Sequence, residues 1–310
     1  MQAMIPQVFF ARHLVFRYED FVAAIDSSGT CSPNTINALL THYKKIGRIV
    51  HLRRGLYAVV PEGSNPKAST VDPFLLCSRI TEDAVLAYHT ALGFHERAYS
   101  IHRRYLYFSH RDARDYPYRS LYFQSVHFPK KLLKKNREFY GVSDVERYGM
   151  GIRVTTLERT LLDLLDRPEL GGGWEGIWRL LESVEFFNLD QVVEYTQLMG
   201  NNTTSAKVGY FLEQHRDELM VEERYLEILS RNRPKKPHYM VRTGRISGRF
   251  LERCNLIVPE QIVDRSRQED AVINTLCSGY HSLRWAWRSA FLWVIFRVEI
   301  HGRVIMWNTI

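Results

Sequence analysis

From Pro33 onward, apolar side chains recur at Ile36, Leu39, Leu40 and Tyr43, the spacing of a helix with one face on a core. The opposite side carries Asn34, Ala38, Thr41 and Lys45, flanked by Asn37, His42 and Lys44. That outer face offers amides, a hydroxyl and cations, with no carboxylate. Ser32 is a good N-cap, and Pro33 sits in the first turn, where a missing N–H costs nothing. Residues 49–52 and 56–60 then read as two short strands, joined through Arg53-Arg54-Gly55. A helix able to present amides to base edges, beside a cationic hairpin, predicts a winged helix-turn-helix within residues 1–62.

Further along, residues 19–25 suit a first helix, and breakers from Pro61-Glu62-Gly63 to Asp72-Pro73 mark a linker that should let residues 1–62 fold alone. Residues 63–154 predict an α+β segment. A helix is expected over 82–94, and strands over 105–108, 121–126 and 152–154, where aromatic and β-branched side chains concentrate. From Thr155 the pattern becomes mainly helical. Thr155 with Glu158 has the form of a capping box, and Leu157, Leu161, Leu164 and Leu165 make one stripe. Gly171-Gly172-Gly173 breaks the run as a hinge. Trp174, Ile177, Trp178 and Leu181 make a second stripe, and Leu189, Val192, Val193 and Thr196 a third; 204–214 and 222–229 add two more helices. Pro234-Lys235-Lys236-Pro237 opens a basic, irregular stretch to about Arg253.

The 310 residues are enough for two or three domains. A formal net charge of +8 favours an anionic partner without choosing between nucleic acid and a membrane surface. Cys31, Cys77, Cys254 and Cys277 are widely spaced and form no CxxC, which suits a reduced cytoplasmic chain. The start has no signal-peptide profile, and no stretch approaches the ~20 apolar residues needed to cross a bilayer, so no membrane partner is expected.

The candidate DNA-binding residues are Ser32, Asn34, Asn37, Thr41, Lys44, Lys45, Arg48, Arg53 and Arg54. Asn34, Asn37 and Thr41 are the better base readers, whereas Lys44, Lys45 and Arg48 suit phosphates. Gly55 supplies the turn, so folding alone does not require Arg53 and Arg54. Arginine at a hairpin tip can enter a minor groove or fork a phosphate. Two other basic groups have as good an account in solvated surface: Lys130, Lys131, Lys134, Lys135 and Arg137 around two leucines, and Lys235, Lys236, Arg242, Arg245 and Arg249.

No catalytic residue, metal site or cofactor is expected. His89 and His95 lie about 240° apart on a helix, not on one ligand face, and neither His102 nor His110 adds a metal-ligand spacing. Glu158 is explained by capping, and Asp163 and Asp166 fall on the polar side of the leucine stripe. The glycine triplet lacks the Lys-Ser/Thr of a P-loop.

Four segments are similar to the AbiEi-type antitoxins of type IV toxin–antitoxin systems. They are LTHYKKIGRIVHLRRGLYAVVP (40–61), DAVLAYHTALGFHERAYS (83–100), VTTLERTLLDLLDRPELGGGWEGIWRLLESVEFFNLDQVVEY (154–195) and RFLERCNLIVPEQIVDRS (249–266). The resemblance runs colinearly from about residue 10 to 270. It implies a transcriptional regulator that represses its own operon by binding double-stranded operator DNA with inverted repeats. It also implies neutralisation of a nucleotidyltransferase-type toxin encoded alongside, without required contact between the two. The N-terminal winged helix would hold DNA, and the helical part, 155–270, would carry antitoxin activity and cooperative operator binding.

Residues 271–310 depart from the resemblance and gather Trp285, Trp287, Phe291, Trp293, Phe296 and Trp307. They read as a foreign extension whose deletion should leave solubility intact, the rival reading being a membrane-surface anchor. The expected class is therefore α+β: a winged helix-turn-helix (1–62), a mixed middle domain (63–154), a mainly helical domain (155–270) and an atypical extension (271–310). A nuclease-like enzyme with a winged-helix targeting domain is the alternative, although no Asp…Glu-x-Lys pattern supports it. A basic RNA- or membrane-associated scaffold is a third.

Overall fold

A computed structural model describes residues 4–26, 31–97, 103–241, 247–260, 262–263, 298–300 and 303–305. The chain divides into two compact units, Met1–Val258 and Pro259–Ile310, and is of mixed α+β class.

The first unit opens with α1 (Met4–Arg12), β1 (Val15–Arg17), α2 (Tyr18–Ile25) and α3 (Pro33–Lys45). A hairpin of β2 (Ile49–Arg53) and β3 (Leu56–Val59) follows, and β1 joins it in the order β1-β3-β2. Ile36 and Leu40 of α3 are buried and Leu39 and Tyr43 partly so, as the apolar stripe requires. Periodicity is silent on α1, because Ile5, Val8, Phe9 and Phe10 are spread around it. Its place comes from aromatic packing. Phe9 meets Phe16 edge-on at 5.1 Å, while Phe10 stacks on Phe21 at 5.9 Å and meets Tyr43 edge-on at 4.9 Å. Each fully buried phenylalanine contributes about 1.5–3 kcal/mol.

The middle of the unit comprises α4 (Pro73–Arg79), β4 (Val85–Leu86), α5 (His89–Phe94), β5 (Arg104–Phe108), β6 (Tyr116–Tyr118), β7 (Leu121–Val126), α6 (Lys130–Leu133), β8 (Val142–Arg147) and β9 (Met150–Thr155). Its strands form one mixed sheet in the order β6-β7-β5-β4-β9-β8, with β5/β7 and β4/β9 parallel. The helix expected over 82–94 is thus a strand followed by a short helix. Val85 and Leu86 pair with β5, and Leu86 also with β9, which draws them out of the helical pattern. Tyr88, at φ 56°, turns the chain into α5.

Packing continues across the expected linker: besides its own cluster of Phe9, Phe10, Phe16, Phe21, Ile36, Leu40 and Ile49, the first segment shares a second one. Val15, Leu56 and Ala58 are buried in one cluster with Leu75, Leu76, Leu86, Tyr107 and Ile152. The linker's end is tied down as well: Asp72 accepts from the Phe74 and Leu75 amides and holds Arg147 at 2.8 Å.

The helical remainder is α7 (Leu157–Asp166), a 3-10 turn at Pro168–Gly171, α8 (Trp174–Glu182), α9 (Leu189–Met199), α10 (Asn202–Gln214) and α11 (Glu223–Arg231). Thr156, not Thr155, caps α7, because Thr155 completes β9. Glu158 accepts from the Asn188 amide instead of closing a capping box. The glycine triplet is a packed turn as well as a break. A Cβ on Gly171 would lie 2.6 Å from side-chain carbons of both Leu164 and Ile177, so only glycine fits there. Strands β10 (His238–Tyr239), β11 (Gly248–Leu251) and β12 (Leu256–Pro259) form a small sheet in the order β10-β12-β11. In the second unit, β13 (Val298–Ile300) and β14 (Arg303–Ile305) pair antiparallel. The aromatic cluster expected in 271–310 lies outside the described residues.

Candidate nucleic-acid interface

The Ser32 Oγ accepts from the Thr35 amide at 3.2 Å and so closes the first turn of α3. Ser32 is therefore committed to the cap. Along the outer face Asn34, Asn37, Thr41, Lys44 and Lys45 are all exposed. Among the described residues none of these side chains is engaged in a hydrogen bond or ion pair, so donors, acceptors and charge stand free.

The three candidate arginines nearby differ from one another. Arg48 is half-buried, donates to the Val60 carbonyl at 3.2 Å and lies 3.1 Å from exposed Glu62. It ties the hairpin to the following segment, and its fork is largely occupied. Arg53 is half-buried with its guanidinium 5.5 Å from the Tyr116 ring centre, and the Tyr116 hydroxyl donates to the Leu52 carbonyl at 2.7 Å. Only Arg54 of the three is exposed. Beside it Gly55, at φ 73°, makes the turn, and its carbonyl accepts from the Tyr18 amide.

The second basic group is half accounted for by folding. Leu132 is buried, Lys131 Nζ donates to the Gly200 carbonyl at 2.6 Å, and Lys135 Nζ donates to the Leu198 carbonyl at 2.8 Å. Two cations thus satisfy carbonyls at the C-terminal end of α9, where charge and the helix dipole are complementary. In the third group Lys235, Lys236 and Arg249 are exposed, and Arg242 and Arg245 lie outside the described residues.

Sequence reasoning missed a buried polar network. Asp163 is not on a wet face but 2% exposed, beside Arg159 at 0%. The Arg159 Nε lies 3.3 Å from Asp163 Oδ2, and its Nη1 donates to the Glu138 and Tyr140 carbonyls, each at 2.6 Å. The Tyr195 hydroxyl donates to Asp163 Oδ1 at 2.8 Å. Burial raises the Asp163 pKa to about 6 despite the adjacent guanidinium. The i, i+4 spacing of Arg159 and Asp163 was visible, but their burial depends on strands and helices distant in sequence. Asp83 is a contrasting carboxylate. Burial pushes its pKa up, but the His110 amide, the Ser109 hydroxyl and the His110 ring outweigh this and bring it to about 2.

His89 bonds the Leu170 and Arg104 carbonyls, and His95 the Thr155 carbonyl, which places both within the fold's own hydrogen bonding. Among the described residues, no group of three His, Cys, Asp or Glu is placed to hold a metal ion, and no helix is long and apolar enough to cross a membrane. Cys31, Cys77 and Cys254 are free thiols; burial raises the Cys77 pKa well above its usual range and that of Cys254 to about 12.

No protein-family model matches the chain, and no curated protein does so either. Among solved structures, the crystal structure of the RV2827C protein from Mycobacterium tuberculosis is similar, with a TM-score of 0.52 and 17% identity over 83% of this chain and 91% of that one. At that identity the likeness concerns the fold alone.

Proposed function

We propose that the chain is a sequence-specific DNA-binding transcriptional regulator, with residues 1–62 as a winged helix-turn-helix and α3 as its reading helix. The observation that carries this reading is the carboxylate-free outer face of α3. Five polar or cationic side chains there are exposed and have no partner among the described residues, and exposed Arg54 stands at the adjoining hairpin tip. Asparagine can pair bidentately with adenine, whereas lysine contributes charge along the phosphates. The antitoxin role, repression of its own operon and neutralisation of a nucleotidyltransferase-type toxin, rests on the sequence resemblance to AbiEi-type antitoxins. The predominantly helical segment after Thr155 is its proposed carrier.

The test is a salt-titrated binding assay on the DNA upstream of the gene, combined with selection of preferred sites from random duplexes. Asn37→Ala should relax preference at particular base pairs, at about 1–3 kcal/mol of discrimination per lost pair. Lys45→Ala should weaken all sequences alike and flatten the log-salt slope by about one unit. Identical base preferences for wild type and Asn37→Ala would remove Asn37 as a reader. Absence of saturable, salt-dependent duplex binding by the wild type would overturn the function itself.

A further inference from the structure

A cleft of about 560 Å³ lies beside the β2–β3 turn, lined by Arg17, Arg53, Arg54, Arg79 and Arg111. Arg17 and the hairpin pair come from the first segment, Arg79 from the end of α4, and Arg111 from the loop after β5. Five guanidinium groups gathered from four places repel one another, and the nearby carboxylates do not neutralise them. Arg17 has Asp20 at 3.5 Å, and Arg111 has Glu82 at 3.9 Å with both side chains exposed. Asp112, also at the cleft, lies 2.6 Å from His127. Arg53, Arg54 and Arg79 have no carboxylate partner among the described residues; Arg79 donates one bond, to the Gly151 carbonyl at 3.2 Å. Arg17 Nε, Arg53 Nη1 and Arg79 Nε are buried and have no acceptor among the described residues. Their guanidinium groups are thus only partly satisfied by the fold, and N–H groups that face the cleft are available to an anion. Burial lowers the Arg79 pKa, and neighbouring Arg17 and Arg153 lower it further against the pull of Asp20.

We propose that this cleft is a binding site for a free, small polyphosphate-bearing ligand of nucleoside-polyphosphate size. The chemistry fits because arginine forks match phosphate oxygens in bidentate fashion. The size fits because about 560 Å³ falls within the range of small-ligand sites. A bounded volume of this size suits a discrete small ligand better than a continuous duplex backbone, and the ligand's anionic groups would sit on the arginine side, away from the exposed Glu19, Glu82 and Asp112. Arg53 and Arg54 belong to both the cleft and the hairpin tip. Resting on the DNA-binding reading, occupancy of the cleft therefore opposes operator binding, and each ligand weakens the other by the same factor.

The test uses the full chain without DNA, with calorimetric titration of ATP and of inorganic tripolyphosphate at physiological salt. Saturable one-to-one binding is expected for ATP, weakened about tenfold or more by Arg79→Gln and by Arg111→Gln, since each removes charge-assisted bonds. Arg79→Lys should recover part of the loss. Among the described residues the Arg111 side chain makes one long surface pair, so Arg111→Gln keeps the test valid even if Arg79→Gln proves unstable. No saturable binding of either probe, or equal binding by both glutamine variants, overturns the proposal. So does loss of duplex binding in these variants when neither probe binds, because the cleft would then seat the DNA backbone. A second arm measures operator affinity with saturating ATP. Weakened operator binding supports the coupling, and unchanged affinity overturns the coupling while leaving the ligand site standing. Failure of the DNA-binding reading leaves the calorimetric arm untouched.

Discussion

Asp83 and Asp163 show how one residue type acquires opposite character from its surroundings. Asp83 collects donors from Ser109 and His110 and is held at about 2, whereas burial takes Asp163 to about 6. A folded-state pKa below the ordinary aspartate value contributes stability that is present above that value and lost as pH falls through the folded one. The window is therefore from about 4 down to about 2. Wild type should exceed Asp83→Asn by about 1–2 kcal/mol at pH 6 after discounting for solvent screening, with the difference gone near pH 2. Urea unfolding across that range checks this, and a pH-independent difference would contradict it. Arg159 is the other residue whose loss should be severe. Arg159→Met strips the buried Asp163 of its cation and two carbonyls of their donor, and should cost about 3–5 kcal/mol of unfolding free energy. A loss below about 1 kcal/mol would show that the network does not organise this part of the fold.

At the level of elements, the β2–β3 hairpin shows how two adjacent residues of one type are put to different uses. Arg54 is exposed, while Arg53 is half-buried over the Tyr116 ring of β6. Arg54→Ala is expected to leave stability within about 0.5 kcal/mol. It should weaken duplex binding by about 1–3 kcal/mol and make the log-salt slope shallower by about one unit. Arg53→Ala should also lower stability, by about 0.5–2 kcal/mol, through the lost cation–π contact. Thermal melts and salt-titrated anisotropy on the same preparations separate the two. Equal stability of both variants would mean that the Tyr116 contact contributes nothing. Helix α9 illustrates the complementary case, in which Lys131 and Lys135 serve its terminal carbonyls.

For the molecule as a whole, continuity of the core predicts which pieces fold. Val15, Leu56 and Ala58 are covered by side chains from α4 and the large sheet, so a fragment ending at residue 62 exposes them to water. Residues 1–62 alone should therefore show no cooperative thermal transition, whereas residues 1–260 should melt cooperatively with the near-ultraviolet signal of packed aromatic rings. A cooperative transition in the short fragment would show that the Phe9, Phe10, Phe16 and Phe21 cluster suffices by itself.

Local chemistry was legible wherever a pattern repeats within a few residues. The apolar stripe and Ser32 cap of α3, the Arg54-Gly55 turn, the strands at 104–108 and 121–126 and the leucine stripe of α7 could all be read directly, because each is set by neighbours three or four positions away. Position in the core was not legible. Helix α1 has no single apolar face and is placed by Phe16, Phe21 and Tyr43. Residues 85–86 look helical until two distant strands claim their backbone groups. Among the candidate site residues, the sequence determined which side chains α3 presents outward. Tertiary structure alone decided that Arg48 and Arg53 are partly engaged, and that Arg17, Arg79 and Arg111 gather beside Arg54. Periodicity reports the side of an element that avoids water, whereas convergence of charge depends on contacts between residues up to about a hundred positions apart, which no local window contains.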